Sequence, residues 1–553
     1  MTERRRIGTV AAVAVVLALA LAGCVGIPSS GGVNVGPPVG TGGGTSIVDL
    51  VYGPPHNASR TELVNDFLQA VTSADNNYAT AREFLTAKAA QDWDPTKSVL
   101  VREKPATPED VGANTVDYSV TTRASVNSLG VYQEQATDST QTLSYNFVKV
   151  HGQWRINDLP DGIVLSRTSF NNFFQEYPIY FFDPDYRFLV PDVRWFPSGA
   201  SVQDRIVSAL LLGPTDWLQQ GVVATAFPPG MQKGSPVVIR NGTATVDFSA
   251  DAASSKTLVR ARMLQQLQES LLDAGITNVQ MTARGAPLDV ADPGASDATL
   301  AKGNPLPLLQ RGKQFGFYPG LQSLGPISPQ VAELDGTAAA LDRAGTTAAV
   351  LAKAGVYLVT GSGARLVDSR ANLIAPSIDP FGYVWSVPAT DASAIVATAS
   401  DGVQHPIAST LPSGATIVSL DVSHDGTRVL VYLSTSAGPQ LLVAGIVRRA
   451  GVPTGLGELL QLPVSAAQPI DATWVDPTTV AALASDGGED TVVSYVIGGS
   501  PGDASTTEAG VRLVGGSDSS SLRLLTESGE VQQLRASGWQ NIGVTASLLA
   551  TQQ

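Results

Sequence analysis

Between residues 59 and 90 the apolar positions recur at helical spacing. Leu63, Val64, Phe67, Leu68 and Val71 share one face, and Phe84, Leu85 and Ala89 share another. The polar break Asp75-Asn76-Asn77 separates the two patterns. Beyond Pro95 the period drops to two over 98–103, 115–126, 143–150 and 153–156, with His151-Gly152 as the turn joining the last pair. Two helices followed by an antiparallel sheet predict an α+β domain over 47–168. His151, in a hairpin turn, is read as solvated.

Residues 170–196 carry eleven of the chain's 35 aromatic side chains. Such density predicts an interdomain seam together with the first strands of a second domain. The competing reading is an exposed partner patch, since aromatics are enriched at interface cores. Its anchors would be Phe173, Phe174, Tyr177, Tyr180 and Tyr186. A helix follows: Ser201 and Asp204 have capping-box spacing, Ile206, Val207, Leu210 and Leu211 line one face, and Gly213-Pro214 stops it. Asn241-Gly242 between 237–240 and 243–248 predicts a tight hairpin. A second helix runs over about 257–273, with Leu264, Leu267, Leu271 and Leu272 as its stripe and Gly275 after its end. A strand over 278–283 completes an α/β domain at 169–290.

Residues 291–330, rich in Pro and Gly, read as a linker. From 331 to 553 short apolar runs alternate with turn residues, and a repeat appears when the turns are aligned. Leu341-Asp342…Gly345 is followed by Ile378-Asp379…Gly382, Leu420-Asp421…Asp425-Gly426 and Trp474-Val475-Asp476. The intervals Gly345–Gly382, Gly382–Gly426 and Asp425–Asp476 are 37, 44 and 51 residues. Four-stranded propeller blades recur at about 40–50 residues, and this region has room for about five. A β-sandwich has no reason to repeat at such a period.

The N-terminus changes the picture of location. Arg4-Arg5-Arg6 precede sixteen mostly apolar residues, 7–22, which is the length of a signal-peptide core and short for a membrane span of about 20. That stretch closes on Leu21-Ala22-Gly23-Cys24, which resembles the lipobox of bacterial lipoproteins. The resemblance implies removal of 1–23 and a Cys24 that carries S-diacylglycerol and N-palmitoyl groups. Several chains together would hold a protein on a membrane far better than one. Residues 25–46, with eight Gly, three Pro and no charge, read as a flexible tether within 24–46.

Formal charge is −14, and loss of 1–23 takes away one acid and three bases, leaving −16. No basic cluster follows residue 6, which excludes a nucleic-acid partner. Cys24 is the only cysteine, so intrachain disulfides and cysteine-based zinc sites are excluded. The four histidines, His56, His151, His405 and His424, have no metal-ligand spacing, no lysine has Ser three residues before it, and no Walker motif occurs. The acidic turn Asp486-Gly-Gly-Glu489-Asp490 reads as solvated. A non-enzymatic binding protein without metal or cofactor is expected.

Three resemblances sharpen this. The first domain is similar to NTF2-type cones, a fold that often lines a small pocket. Leu211-Leu212-Gly213-Pro214, Thr225-Ala226-Phe227-Pro228 and Val246-Asp247-Phe248-Ser249 resemble the GerMN domain, and the repeat resembles TolB-type blades. Lipobox, NTF2-like domain, GerMN domain and β-propeller follow the order of the LpqB-type lipoproteins of actinobacteria. That resemblance implies an extracytoplasmic, lipid-anchored accessory of the MtrA–MtrB two-component system. It would contact the sensor kinase's extracytoplasmic domain and influence cell-wall homeostasis and division. The alternative is an envelope glycan-binding protein or hydrolase acting through the propeller.

Overall fold

The computed structural model describes residues 51–199, 201–290, 298–536 and 538–553. Cys24, the lipobox residues Leu21, Ala22 and Gly23, and the tether lie outside the described residues.

The first domain begins at α1 (Arg60–Ala70), where Ser59 and Glu62 cap each other's backbone reciprocally. Next come α2 (Asp75–Arg82) and α3 (Ala87–Asp92). The polar break proves sharper than a loop: Asn76, Asn77 and Tyr78 all take positive φ inside α2. The helices cover a sheet of order β5-β4-β3-β1-β6, with β2 beside β3. Its strands are β1 (Ser98–Arg102), β2 (Glu109–Asp110), β3 (Thr115–Asn127), β4 (Tyr132–Val150), β5 (Gln153–Asp158) and β6 (Ile163–Ser166). β4 starts eleven residues before the expected 143, because Tyr132 to Asn146 continue the antiparallel ladder with β3. Inside the cone Phe67 meets Phe84, Trp93 and Tyr145 at centroid distances of 6.3, 5.3 and 6.1 Å. These rings belong to one buried cluster that joins the helices to the sheet.

The core of this domain runs on past 168. α4 (Arg167–Phe173) buries Phe170 in it, and Phe174 joins the same cluster. The second domain then opens with the antiparallel pair β7 (Phe174–Phe182) and β8 (Phe188–Pro197). α5 (Val202–Leu212) ends at Gly213, with φ of 95°. Its start corrects the capping expectation: Ser201 makes no side-chain cap, and Asp204 instead accepts from the Val237 amide and from Lys233 Nζ. β9 (Val238–Arg240) and β10 (Thr243–Phe248) turn through Asn241-Gly242, both at positive φ as a two-residue hairpin requires. After α6 (Asp251–Ser254), α7 (Thr257–Leu272) crosses over so that β11 (Asn278–Ala283) lies parallel to β10, and β12 (Ala286–Pro287) closes the sheet. The buried stripe of α7 differs from the leucine pattern. Met263, Gln266, Leu267, Ser270 and Leu271 face inward while Leu272 is exposed. The polar members are admitted because Gln266 Oε1 accepts from the Ala226 amide and Ser270 Oγ from the Tyr180 amide.

From residue 298 onward the expected linker is part of the folded body. β13 (Thr299–Leu300) pairs with β8, and β14 (Leu308–Arg311) and β15 (Gln314–Phe317) belong to the propeller. A helix, Ile327–Leu334, then leads to five four-stranded blades at 338–368, 377–406, 416–462, 468–507 and 510–545. A sixth blade is made of β15, β14 and the strand Leu548–Gln552. That last strand lies parallel to Ala340 and Leu341 of blade one, so the ring closes on strands from both ends of the region. Among the described residues the blades therefore number six rather than about five. The repeating aspartate has a local cause. Asp342, Asp379, Asp425 and Asp476 each accept backbone N–H groups within their own turn, fixing the reversal between the first two strands of a blade.

Candidate functional site

All three domains meet around the β3–β4 hairpin. Trp195 of β8 donates its backbone N–H to the Gly130 carbonyl at 2.7 Å and its indole N–H to the Gly498 carbonyl of blade four at 2.8 Å. Its ring lies 5.3 Å from Tyr132 and 5.0 Å from Phe170, and Phe170 stacks on Phe174 at 5.1 Å. The polar rim of this pile is Arg167, which donates to the Tyr132 hydroxyl at 2.9 Å, to Glu103 and to Glu134. Ser500 Oγ of blade four sits 2.8 Å from the same hydroxyl. Burial, then the acceptor Glu134, push the Tyr132 hydroxyl well above the ordinary phenol range.

A second joint lies beneath. Arg194 and Asp192 form a buried pair at 2.7 Å, with side chains 1% and 3% exposed. Arg194 also donates to the Leu129 carbonyl of the hairpin and the Gly213 carbonyl after α5, while Asp192 accepts from the Thr215 amide. The turn that follows drives Trp217, Leu218 and Val222 into an apolar cluster with Leu430, Tyr432 and Trp474 of the propeller. Gly445 permits this approach. A Cβ there would stand 2.5 Å from Val222 and 2.8 Å from the Trp217 carbonyl.

The propeller's ring face meets the tip of the β7–β8 hairpin through Arg187, which stacks 4.2 Å over Phe381. Near the ring axis burial pulls the His424 imidazole down to about 4, and Gly303 packs directly against it. Burial pushes Asp421 up to about 6, although Ser377, Thr473 and the Trp474 amide all donate to it. Asp421 is thereby used up in holding the strands of neighbouring blades together, whereas the buried Nε2 of His424 has no hydrogen-bond partner among the described residues.

Beside the seam the three domains leave a cleft of about 530 Å³. Its walls are the β3–β4 hairpin, the 212–219 turn and the outer strand of blade three, Val452–Leu462. The lining carries three carboxylates, Glu134, Asp216 and Glu458, and no Lys, Arg, His, Cys or Ser. Glu134 is neutralised by Arg167, while Asp216 and Glu458 are exposed. Asp216 and Glu458 are thus the charged groups that the cleft presents to a ligand.

Three family models match in order. "Lipoprotein LpqB, N-terminal domain" covers 53–171, "Sporulation and spore germination" 178–289, and "Lipoprotein LpqB beta-propeller domain" 322–547. Relatives named Lipoprotein LpqB include one from Cutibacterium acnes, 27% identical, with 87% of this chain and 88% of that protein aligned. Another, from Streptomyces avermitilis, is 25% identical over 95% of both chains. A third, from Thermobifida fusca, is 32% identical over 44% of this chain and 41% of that one. The chain belongs to the LpqB lipoprotein family.

In this LpqB-family chain the aromatic segment is divided between two cores. Phe174 and Tyr177 are each 5% exposed, and Phe173 packs half-buried on the first domain's core. Tyr180 and Tyr186 pack on the second, and Arg262 covers the Tyr186 ring at 3.7 Å. The reading of these five as exposed partner anchors is therefore corrected: two adjoining cores and a three-domain joint consume them. Gly498-Gly499-Ser500-Pro501-Gly502 has the spacing of a hydrolase nucleophile elbow, but it does not have the elbow's setting. It turns between two strands of a blade rather than from strand to helix, and Ser500 Oγ meets Tyr132 and Arg167. Sequence reasoning missed the cleft, since its walls come from segments more than 70 residues apart. No helix of the described residues is long and apolar enough to cross a membrane.

Proposed function

We propose that this protein is a lipid-anchored, extracytoplasmic accessory that binds the ectodomain of an MtrB-like sensor kinase. In doing so it modulates MtrA–MtrB signalling and with it cell-wall homeostasis and division. The order of the three matched domains behind a lipobox carries the reading. A three-domain junction closed by buried ion pairs and rings leaves beside it an open cleft with two exposed carboxylates, a surface that a partner can reach. Acylation of Cys24 would confine the body near the kinase and raise its effective concentration there.

The test is capture of the detergent-solubilised, acylated protein on immobilised kinase ectodomain and, in parallel, on purified peptidoglycan. Retention on the ectodomain alone is the expected result. Retention on peptidoglycan alone would replace the proposal with a glycan-binding role. Cys24→Ser should abolish metabolic lipid labelling, and label that persists would remove the anchor from the proposal.

A further inference from the structure

The outer strand of blade three lines the cleft with every residue from 458 to 463, and β4 does so with 133, 134 and 135. Side chains of a strand alternate between its two faces, so consecutive residues can all border one cavity only if the strand's edge is turned toward it. The ladders agree. Val452–Leu462 is the last strand of its blade and pairs on one side with Gly438–Arg449. Among the described residues its other edge is bridged only at Gly455, by Ala408. β4 pairs with β3 from Tyr132 onward, but β5 joins its far edge only from Asn146. Two stretches of strand edge thus face one open cleft. Such edges are templates for an added strand.

The chemistry of the cleft selects what could be added. Asp216 and Glu458 are exposed and make no ion pair among the described residues, and no cation stands in the lining. Leu212, 70% exposed, and Leu129, 39% exposed, offer apolar contacts at the rim. We propose that the cleft docks an extended peptide segment of a partner protein, which pairs its backbone with the edge at 458–462. Lys or Arg side chains of that segment would answer Asp216 and Glu458. The proposal rests on the reading of this protein as a binding accessory, and it supplies the kind of segment that a partner would present.

The test uses the full chain in detergent and a fluorescein-labelled heptapeptide of alternating Lys and Val. Its companions are a Glu/Val counterpart and two Lys/Val peptides N-methylated at alternate amides in complementary registers. Expected are saturable one-to-one binding of the Lys/Val peptide and none of the Glu/Val peptide. One methylation register should lose at least tenfold, because it deletes the donors facing the edge. The double variant Asp216→Lys/Glu458→Lys should also lose at least tenfold while keeping the parent's circular dichroism. Equal binding of both methylated registers would mean unspecific attraction to an acidic body and would overturn the proposal. So would an unchanged affinity in the double variant, or no binding at all. Kinase-ectodomain capture is measured on the same samples. Capture without peptide binding overturns the docking proposal alone, and peptide binding without capture overturns the kinase reading alone.

Discussion

The seam and the cleft lie side by side at the same three-domain junction, yet they are finished in opposite ways. In the seam every strong polar group has an internal partner: Arg167 meets two carboxylates and a phenol, and the Trp195 indole meets a carbonyl. In the cleft two carboxylates and two strand edges are left to solvent. The seam is rich in aromatics and the cleft is poor in them, so aromatic density marks where this protein is glued to itself. Unfinished backbone and unpaired charge mark where it can still bind. The contrast follows from desolvation: a buried ring gains by excluding water, whereas an open carboxylate or amide keeps its hydration until a partner replaces it.

The largest effect that would sharpen this contrast lies at Arg194–Asp192. Removing one member leaves the other charged, buried and unpaired, which costs about 3–5 kcal/mol. Arg194→Met and Asp192→Asn should each lower the calorimetric transition markedly, and the double variant should recover part of the loss. Strict additivity of the two would show that they are not one coupled unit.

A smaller effect is expected at Trp195. Trp195→Phe keeps an aromatic ring in the pile but removes the indole donor and strands the Gly498 carbonyl, at about 1–2 kcal/mol. Proteolysis at the loosened seam, in the 497–500 turn of blade four, should then be faster than in the parent. An unchanged proteolytic pattern and melting temperature would place the strength of the seam in ring packing alone.

Much of the fold was legible because it is written locally. The Asn241-Gly242 turn and the blade-turn aspartates each specify a few neighbouring residues, and each appears as read, whereas the capping-box spacing of Ser201 and Asp204 forms no cap. Blade six was not legible, because β14 and Leu548–Gln552 come from opposite ends of the region and only closure of the ring brings them together. The strand at 132–142 was hidden by its composition: Gln, Thr, Ser and Asp fill its solvent face, and no apolar alternation marks it. The aromatic segment announced burial or contact without distinguishing them, since both require the same side chains. The cleft left no trace at all, because a free strand edge is a property of pairing and not of residue type.

The smallest effect on stability, and the most discriminating, is expected in the cleft. Asp216 and Glu458 are exposed, so reversing either charge should change stability by no more than about 0.5 kcal/mol. Asp216 does accept a hydrogen bond from Gln219 at 3.0 Å, but that contact is itself open to water, which can replace it. Each reversal also reduces the excess negative charge of the body by two, which slightly relieves its self-repulsion. Thermal melts of Asp216→Lys and Glu458→Lys should therefore overlay the parent, while the Arg194 and Trp195 variants fall below it in that order of severity. The same two substitutions should weaken binding of a basic partner, mainly through slower association that depends on salt. If Glu458→Lys instead lowered the melting temperature as far as Trp195→Phe does, its carboxylate would be holding the blade edge against the hairpin. The cleft would then be a third structural joint, and the distinction between a closed seam and an open binding edge would fail.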